Sequence, residues 1–352
     1  MSFKLFNKTP KVFGLDISGN SLKVFEFEKK GGATSIKSYT NAPLPKTLIN
    51  ADVITDHATF AHVLKAALEK PLFGRFDTVY AVANLPETKS FVRVIQIPKM
   101  SDAEAENAVP FEAESFIPLP IDQVYLDWQK LSESEDKMNI LIIASPKDFV
   151  DSYLDVLEKS GIKPVALEVE SQSCHRALID PSLKETLLIV DMSANRTSLI
   201  MVEDGNLQFT STIPFAGNSF TDSVAKSLGV SLAKAEIIKY KVGIDNTAEY
   251  PNIKTSLLPV LGNLSAEIKN ILRFHGEHSD KKVNKIILTG GSARLKNLPE
   301  FLAAEFTDLP GMKVEIGNPW HTIANIHSAA MEDSESLQYT TAIGLAMRGG
   351  EA

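Results

Sequence analysis

The sequence predicts an α/β chain of two related lobes that enclose a cleft. Three observations carry this expectation. A strand, turn, strand, turn, strand unit occurs twice, half a chain apart; the first strand of each copy ends in Asp before a tight polar turn; and a third strand late in the chain runs into Gly-Gly. At 352 residues the chain exceeds one ordinary core, so two or more domains are expected. Its 44% hydrophobic and 23% charged residues place it among folded globular proteins rather than disordered ones.

The first copy begins near Val12 as VFGLDISGNSLKVFEFEKKGGATSIKSYT, with turns at Ser18-Gly19-Asn20 and Gly31-Gly32. The second begins near Leu187 as LLIVDMSANRTSLIMVEDGNLQFTSTI, with turns at Ser193-Ala194-Asn195 and Asp204-Gly205-Asn206. DISGN therefore aligns with DMSAN. Each copy reads as a β-meander, and a turn of this kind alone is an ordinary connection; its repetition is the feature that points to a two-sided site. A tight polar turn offers backbone N–H groups and hydroxyls to an anion, so two facing turns suit a polyphosphate. Asp16 and Asp191 would repel the phosphates unless a cation intervened, which implies Mg²⁺ held through water. The segment KIILTGGSARLKNLPEFLAAEF, a strand at Lys285 to Thr289, then Gly290-Gly291-Ser292, then a helix from about Leu298, supplies the third wall.

With these motifs in place the chain resembles the actin/Hsp70/FtsA superfamily, and within it the PilM type IV pilus assembly proteins. The resemblance extends from about Lys11 to Met347. It rests further on FVRVIQIPKMSDAEAENAVPFEAESFIPLPIDQVYLDWQKL, GIKPVALEVESQSCHRAL, IPFAGNSFTDSVAKSLGVSLAKAEIIK and the GNPW at Gly317 to Trp320. It implies an actin-like (ribonuclease H-like) fold with duplicated β-meander and helix halves and an inserted α+β, FtsA-like subdomain. The implied division is a first lobe of 11–85 plus 164–185 plus 321–350, an insertion of 86–163 and a second lobe of 186–320.

The resemblance also implies a site and partners. The first phosphate hairpin would be Asp16, Ser18, Gly19, Asn20, Ser21 and Lys23; the second Asp191, Ser193, Asn195 and Thr197; and Gly217 and Asn218 would lie in a loop closing over the nucleotide. Glu236 and Lys239, spaced ExxK on a helix, would flank ribose and adenine, with Gly290, Gly291 and Ser292 completing that wall. ATP and Mg are the implied cofactors. The implied partners are the cytoplasmic N-terminal peptide of PilN, received between insertion and first lobe, and other pilus assembly proteins. The location is cytoplasmic, peripheral to the inner membrane, with membrane contact only through partners. Ser18 and Ser193 depart from the superfamily, which usually has Gly there. Glu170, in a linker helix read over Glu168 to Gln172, is the candidate to position a hydrolytic water, making the protein at most a slow ATPase.

Other features weigh little against this reading. A formal charge of -8 gives no footprint for nucleic acid. The lone Cys174 fits a reducing compartment, and no apolar run approaches the roughly 20 residues of a bilayer span. Lys4, Lys8 and Lys11 around Phe3, Leu5 and Phe6 read as a frayed N-terminus, with contact to an anionic membrane surface as the alternative. His275 and His278, at the end of a helix through Leu264, Ile268 and Ile271, read as a solvated helix end rather than a zinc site. Glu112, Glu114, Asp122 and Asp127, interleaved with Phe111, Phe116, Ile117, Leu119, Ile121, Tyr125 and Trp128, read as a small amphipathic subdomain whose border with the first lobe offers a peptide groove. Two alternatives share the fold: a small-molecule kinase, for which no convincing base is visible, and a scaffold that has lost nucleotide chemistry.

Overall fold

Strand Phe13–Ile17 is buried along its whole length and pairs antiparallel with Ser21–Lys30, setting Asp16 opposite Lys23. Ser21–Lys30 in turn pairs with Ala33–Pro43, completing the first meander through a turn in which Gly31 and Gly32 both take positive φ. The computed structural model describes residues 11–180 and 182–349; the basic stretch at Lys4 and Lys8 lies outside them. On the other side of Phe13–Ile17, Tyr80–Leu85 pairs in parallel, and Lys163–Val169 pairs in parallel with Tyr80–Leu85. Parallel neighbours require a crossover, and here it is the segment between them, which leaves the first sheet, builds the insertion and returns.

The second meander, Leu187–Met192, Thr197–Glu203 and Asn206–Ile213, repeats the first, with Lys285–Thr289 parallel to Leu187–Met192 and Lys313–Ile316 beyond it. The insertion's strands Phe91–Pro98, Lys137–Pro146 and Val124–Glu133 extend this second sheet to eight strands. The join between Phe91–Pro98 and Asn206–Ile213 rests on one register pair, Arg93 opposite Phe209. Helix Asp102–Glu114, opened by a capping box of Ser101 and Glu104, covers the insertion through Ala105, Val109 and Ala113. The acidic and aromatic stretch is less buried than expected for a core: Phe111 is 78% exposed, while Trp128 and Ile121 pack partly into the cluster.

Residues 147–163, read from sequence as part of the insertion, pack elsewhere. Helix Lys147–Lys159 turns Val150, Tyr153, Val156 and Leu157 inward, a helical spacing, and these join Phe13, Leu15, Phe60 and Leu64 in the first lobe's core. The opposite face of that sheet is covered by helices Glu170–Leu178 and Thr340–Arg348. Gly344 lets these two helices touch, since a Cβ there would run into the Ser173 carbonyl. The pair is tied by Arg176 and Arg348, both on the buried Glu168. Glu168 is thus the end of a strand, and the linker helix starts at Glu170 rather than Glu168.

Strands Ile49–Asn50 and Val53–Ile54 form a hairpin whose two turn residues, Ala51 and Asp52, have φ of 46° and 65°. Such primed turns favour Asn and Gly; an ordinary L residue there costs about 1–2 kcal/mol. The turn therefore depends on support from outside the hairpin.

Candidate functional site

The two meanders bring their first turns face to face, and the turns are built alike. Ser18 N–H and its hydroxyl both donate to the Ser21 carbonyl, at 3.0 and 2.9 Å. Ser193 N–H and its hydroxyl donate to the Arg196 carbonyl at the same two distances. Neither serine takes positive φ. In both turns the serine hydroxyl closes its own turn.

Between the turns lies a cavity of about 160 Å³ lined by Asp16, Ser18, Ser21, Lys23, Glu170, Asp191, Ser193, Gly217, Asn218, Glu236, Lys239 and Gly290 to Ser292. Small-molecule sites commonly measure roughly 300–1,000 Å³, so this cavity is narrow for one. Across its mouth, Asn195 donates to Asn20 at 3.3 Å and Asn218 donates to Asn195 at 2.7 Å. At its base the Gly290 N–H donates to the Leu337 carbonyl, and the Thr289 and Thr340 hydroxyls meet at 2.7 Å.

Most residues expected at the site line the cavity; some do not. Gly19, Asn20 and Asn195 sit at the hairpin tips, outside the lining. Thr197 is buried and donates to the Phe215 carbonyl. Side chains alternate along a strand, so Arg196 and Ser198 face the cleft and Thr197 faces the core, as its repeat equivalent Leu22 does. Gly217 and Asn218 are the first residues of helix Gly217–Leu228 rather than a loop. Their N–H groups are taken by the Ser193 and Ala194 carbonyls, which dock the helix onto the second turn.

The cleft is crowded with charge. Lys23 Nζ lies 3.2 Å from Asp16 Oδ2. Arg196, unforeseen from the sequence, pairs with Glu170 at 2.6 Å and with Asp52 at 2.7 Å. Glu170 also accepts from Asn84, which is itself fixed by the Ile17 backbone. Burial pushes the Glu170 carboxyl up to about 7 even against the pull of Arg196, with Asp16 adding to the rise. Burial, reinforced by Asp16, raises Asp191 to about 6. Burial opposes the charge on Arg196, but Glu170 and Asp52 outweigh it and hold its pKa above the ordinary value.

On the other wall, Lys239 is buried and donates to the Gly217 carbonyl, the Thr221 hydroxyl and Glu236 at 3.2, 2.9 and 2.8 Å. Burial lowers its pKa against the pull of Glu236. Tyr240, also unforeseen, donates to the Gly291 carbonyl and lies under the Arg294 guanidinium. Gly290, at φ +83°, has no room for a Cβ: one would stand 2.5 Å from Asp191 Oδ1 and the Met192 carbonyl. Asn41, Gln338 and Thr341 complete the lining, with Asn41 donating to Gln338 at 3.2 Å.

Among the described residues no group of three or more His, Cys, Asp or Glu is placed to hold a metal ion. His275, expected at a solvated helix end, is 4% exposed and bonds Glu203 at 2.9 Å, because strand Thr197–Glu203 passes beneath the helix there. His278 bonds the Phe274 carbonyl. No helix of the described residues is long and apolar enough to cross a membrane.

Two meander-based lobes closing on a cleft between matched turns, with a subdomain inserted from the first lobe, define an actin-like protein. The solved structures agree. The chain superposes on EutJ from Carboxydothermus hydrogenoformans (TM-score 0.55, 15% identity, 96% of this chain and 89% of that one) and on MreB 5 of Spiroplasma citri bound to AMPPNP (0.54, 14%, 97% and 96%). The chain belongs to the family of type IV pilus assembly protein PilM, which matches residues 14–350. It is similar to a chain of the PilM-PilN type IV pilus biogenesis complex, with a TM-score of 0.82 and 27% identity over 98% of this chain and 100% of that one. Among curated relatives it is 24% identical to cell division protein FtsA of Escherichia coli K12 over 63% of this chain. It is 22% identical to FtsA of Streptococcus pneumoniae D39 over 87%. It spans 57% of the length of the former and 75% of the latter.

Proposed function

We propose that the chain is an ATP-binding scaffold of type IV pilus assembly, whose nucleotide state changes its hold on the cytoplasmic N-terminal peptide of PilN. Membership of the PilM family and likeness to a PilM-PilN complex support the scaffold and the partner. The matched Ser18 and Ser193 turns facing each other over one cleft carry the nucleotide reading. Polyphosphate would lie between the turns, and adenosine against Glu236, Lys239, Tyr240 and the double glycine. Asp16 and Asp191 suit Mg²⁺ held mainly by water and phosphate oxygens, a mode that needs one or two carboxylates. When bound, the ion would neutralise phosphate charge. Glu170 faces the same cavity and is the group to orient a water, but its oxygen is engaged by Arg196 and Asn84, which favours slow hydrolysis at most.

The peptide reading rests on a groove of about 770 Å³ where the insertion meets the first lobe, with Val53, Leu119 and Phe149 as its apolar floor and Lys89, Lys147 and Asp122 around it. An apolar floor with a charged rim suits an amphipathic segment. A second reading, a scaffold without nucleotide chemistry, is favoured by the serine hydroxyls closing their own turns and by the helix N–H groups at Gly217 and Asn218 being occupied. Titration with ATP and Mg²⁺, with and without the PilN peptide and with phosphate release followed in the same samples, separates the two. Tight ATP binding, little phosphate release and a nucleotide-dependent peptide affinity are expected. Absence of ATP binding would leave the second reading, and rapid phosphate release without peptide would point to an enzyme.

A further inference from the structure

One arginine reaches from the cleft to the hairpin that borders the groove. Arg196 lines the cleft, is 12% exposed at its side chain, and divides its guanidinium between Glu170 inside the cleft and Asp52 outside the lining. Asp52 forms the strained turn of the 49–54 hairpin, and its other oxygen accepts the Thr88 hydroxyl. The next residues along, Val53 and Lys89, are both walls of the groove. The turn of the hairpin holds both Ala51 and Asp52 in a left-handed conformation, which Asp tolerates and Ala avoids. Two side chains from outside the hairpin, those of Arg196 and Thr88, fasten Asp52 there.

We propose that Arg196 couples the cleft to the groove: its ion pair with Asp52 pins the 49–54 turn, and a nucleotide phosphate in the cleft draws the guanidinium away and frees it. The inference rests on the nucleotide reading of the cleft. A guanidinium fork matches phosphate as well as carboxylate, so phosphate and Asp52 compete for the same donors. A ligand shifts a conformational equilibrium only through contacts that differ between the two states, and the Arg196 contact is such a difference. With Asp52 released, the turn relaxes and carries Val53 with it, changing the floor of the groove. By linkage, an occupant of the groove that holds the turn in its pinned form weakens nucleotide binding by the same factor.

Hydrogen–deuterium exchange on the full chain, with and without ATP and Mg²⁺, tests this. Without nucleotide, Arg196→Gln should exchange amides 48–55 about tenfold faster than the parent, with the meander 13–43 unchanged. Asp52→Asn, which leaves the cleft lining intact, should give the same local pattern. In the parent, ATP should reproduce that acceleration; in Asp52→Asn, ATP should still bind by titration calorimetry and add nothing further at 48–55. Unchanged exchange at 48–55 in both nucleotide-free variants overturns the pin, whatever ATP does. A parent that binds ATP with no response at 48–55 overturns the coupling. A parent that binds no ATP overturns the cleft reading itself, a failure told apart from the others by the calorimetry.

Discussion

Asn20 and Asn195 occupy the same place in the two halves of the repeat, 175 residues apart, and they meet, the side-chain amide of Asn195 donating to the side-chain oxygen of Asn20 at 3.3 Å. The duplicated turns thus face each other and also touch at their tips. Asn195 accepts from Asn218 as well, so it links three elements beside the narrow cavity.

Removing that link should ease opening at small cost to the fold. Asn195→Ala deletes two exposed hydrogen bonds, each worth about 0.5–1.5 kcal/mol at most. Association of a fluorescent ATP analogue, followed by stopped flow, should be several-fold faster than in the parent, with the urea midpoint nearly unmoved. An unchanged association rate would mean that the asparagine bridge does not limit entry.

Two glycines with no room for a Cβ should separate fold from site. Gly290→Ala places a methyl against Asp191 and the Met192 carbonyl in a backbone conformation unfavourable to alanine. Gly344→Ala drives one into the Ser173 carbonyl, between the helices behind the first sheet. Each should lose about 1–3 kcal/mol in urea denaturation. Gly290→Ala should also weaken ATP binding by more than tenfold, and Gly344→Ala should leave it within about twofold, both measured below the unfolding transition.

Much of this architecture was legible in the sequence because it is written twice. Each first strand carries Asp as its penultimate residue before a serine-bearing turn, and the structure closes both turns with the same pair of bonds. Arg196 and Ser198 were missed, although strand alternation marks them: as Ser21 and Lys23 flank the buried Leu22, so Arg196 and Ser198 flank the buried Thr197. Gln338 and Thr341 could not be read in this way, since only the closing of the first lobe's C-terminal segment onto the cleft brings them there; Asn41 needed the register of the first meander's third strand, which sets it opposite Lys23. His275 misled because its helix end looks polar, while its cover, Glu203, comes from a strand far away in sequence. Helix Lys147–Lys159 misled for a similar reason: its apolar spacing is plain, but the spacing does not say which lobe it faces.

Two raised carboxyls fix the sign of a pH effect. Asp191 rises from 3.8 to about 6 and Glu170 from 4.5 to about 7. Across this window the folded chain holds protons that the unfolded chain has released, so their contribution is full below about pH 4 and is lost as pH rises through 6 to 7. Asp191→Asn removes one of them. Relative to the parent it should be more stable at pH 8, on the order of 3 kcal/mol, with the advantage shrinking toward pH 4. Urea denaturation at both pH values checks this, and an advantage independent of pH would show that Asp191 does not titrate in the folded cleft.

The groove at the insertion can be tested without disturbing either core. Leu119 is 37% exposed and lines the groove floor, so a charge there meets water in the free protein and is buried only when an apolar side chain covers it. Leu119→Asp should therefore leave the thermal midpoint close to the parent's. It should weaken binding of the PilN N-terminal peptide by at least about tenfold, which is roughly 1.4 kcal/mol. ATP affinity should not change, because Leu119 lies outside the cleft lining. Val53→Asp, on the pinned hairpin, should weaken the peptide similarly while also altering its dependence on nucleotide, a difference that calorimetry with and without ATP will read. Peptide affinity unchanged in both variants would place the peptide elsewhere on the molecule.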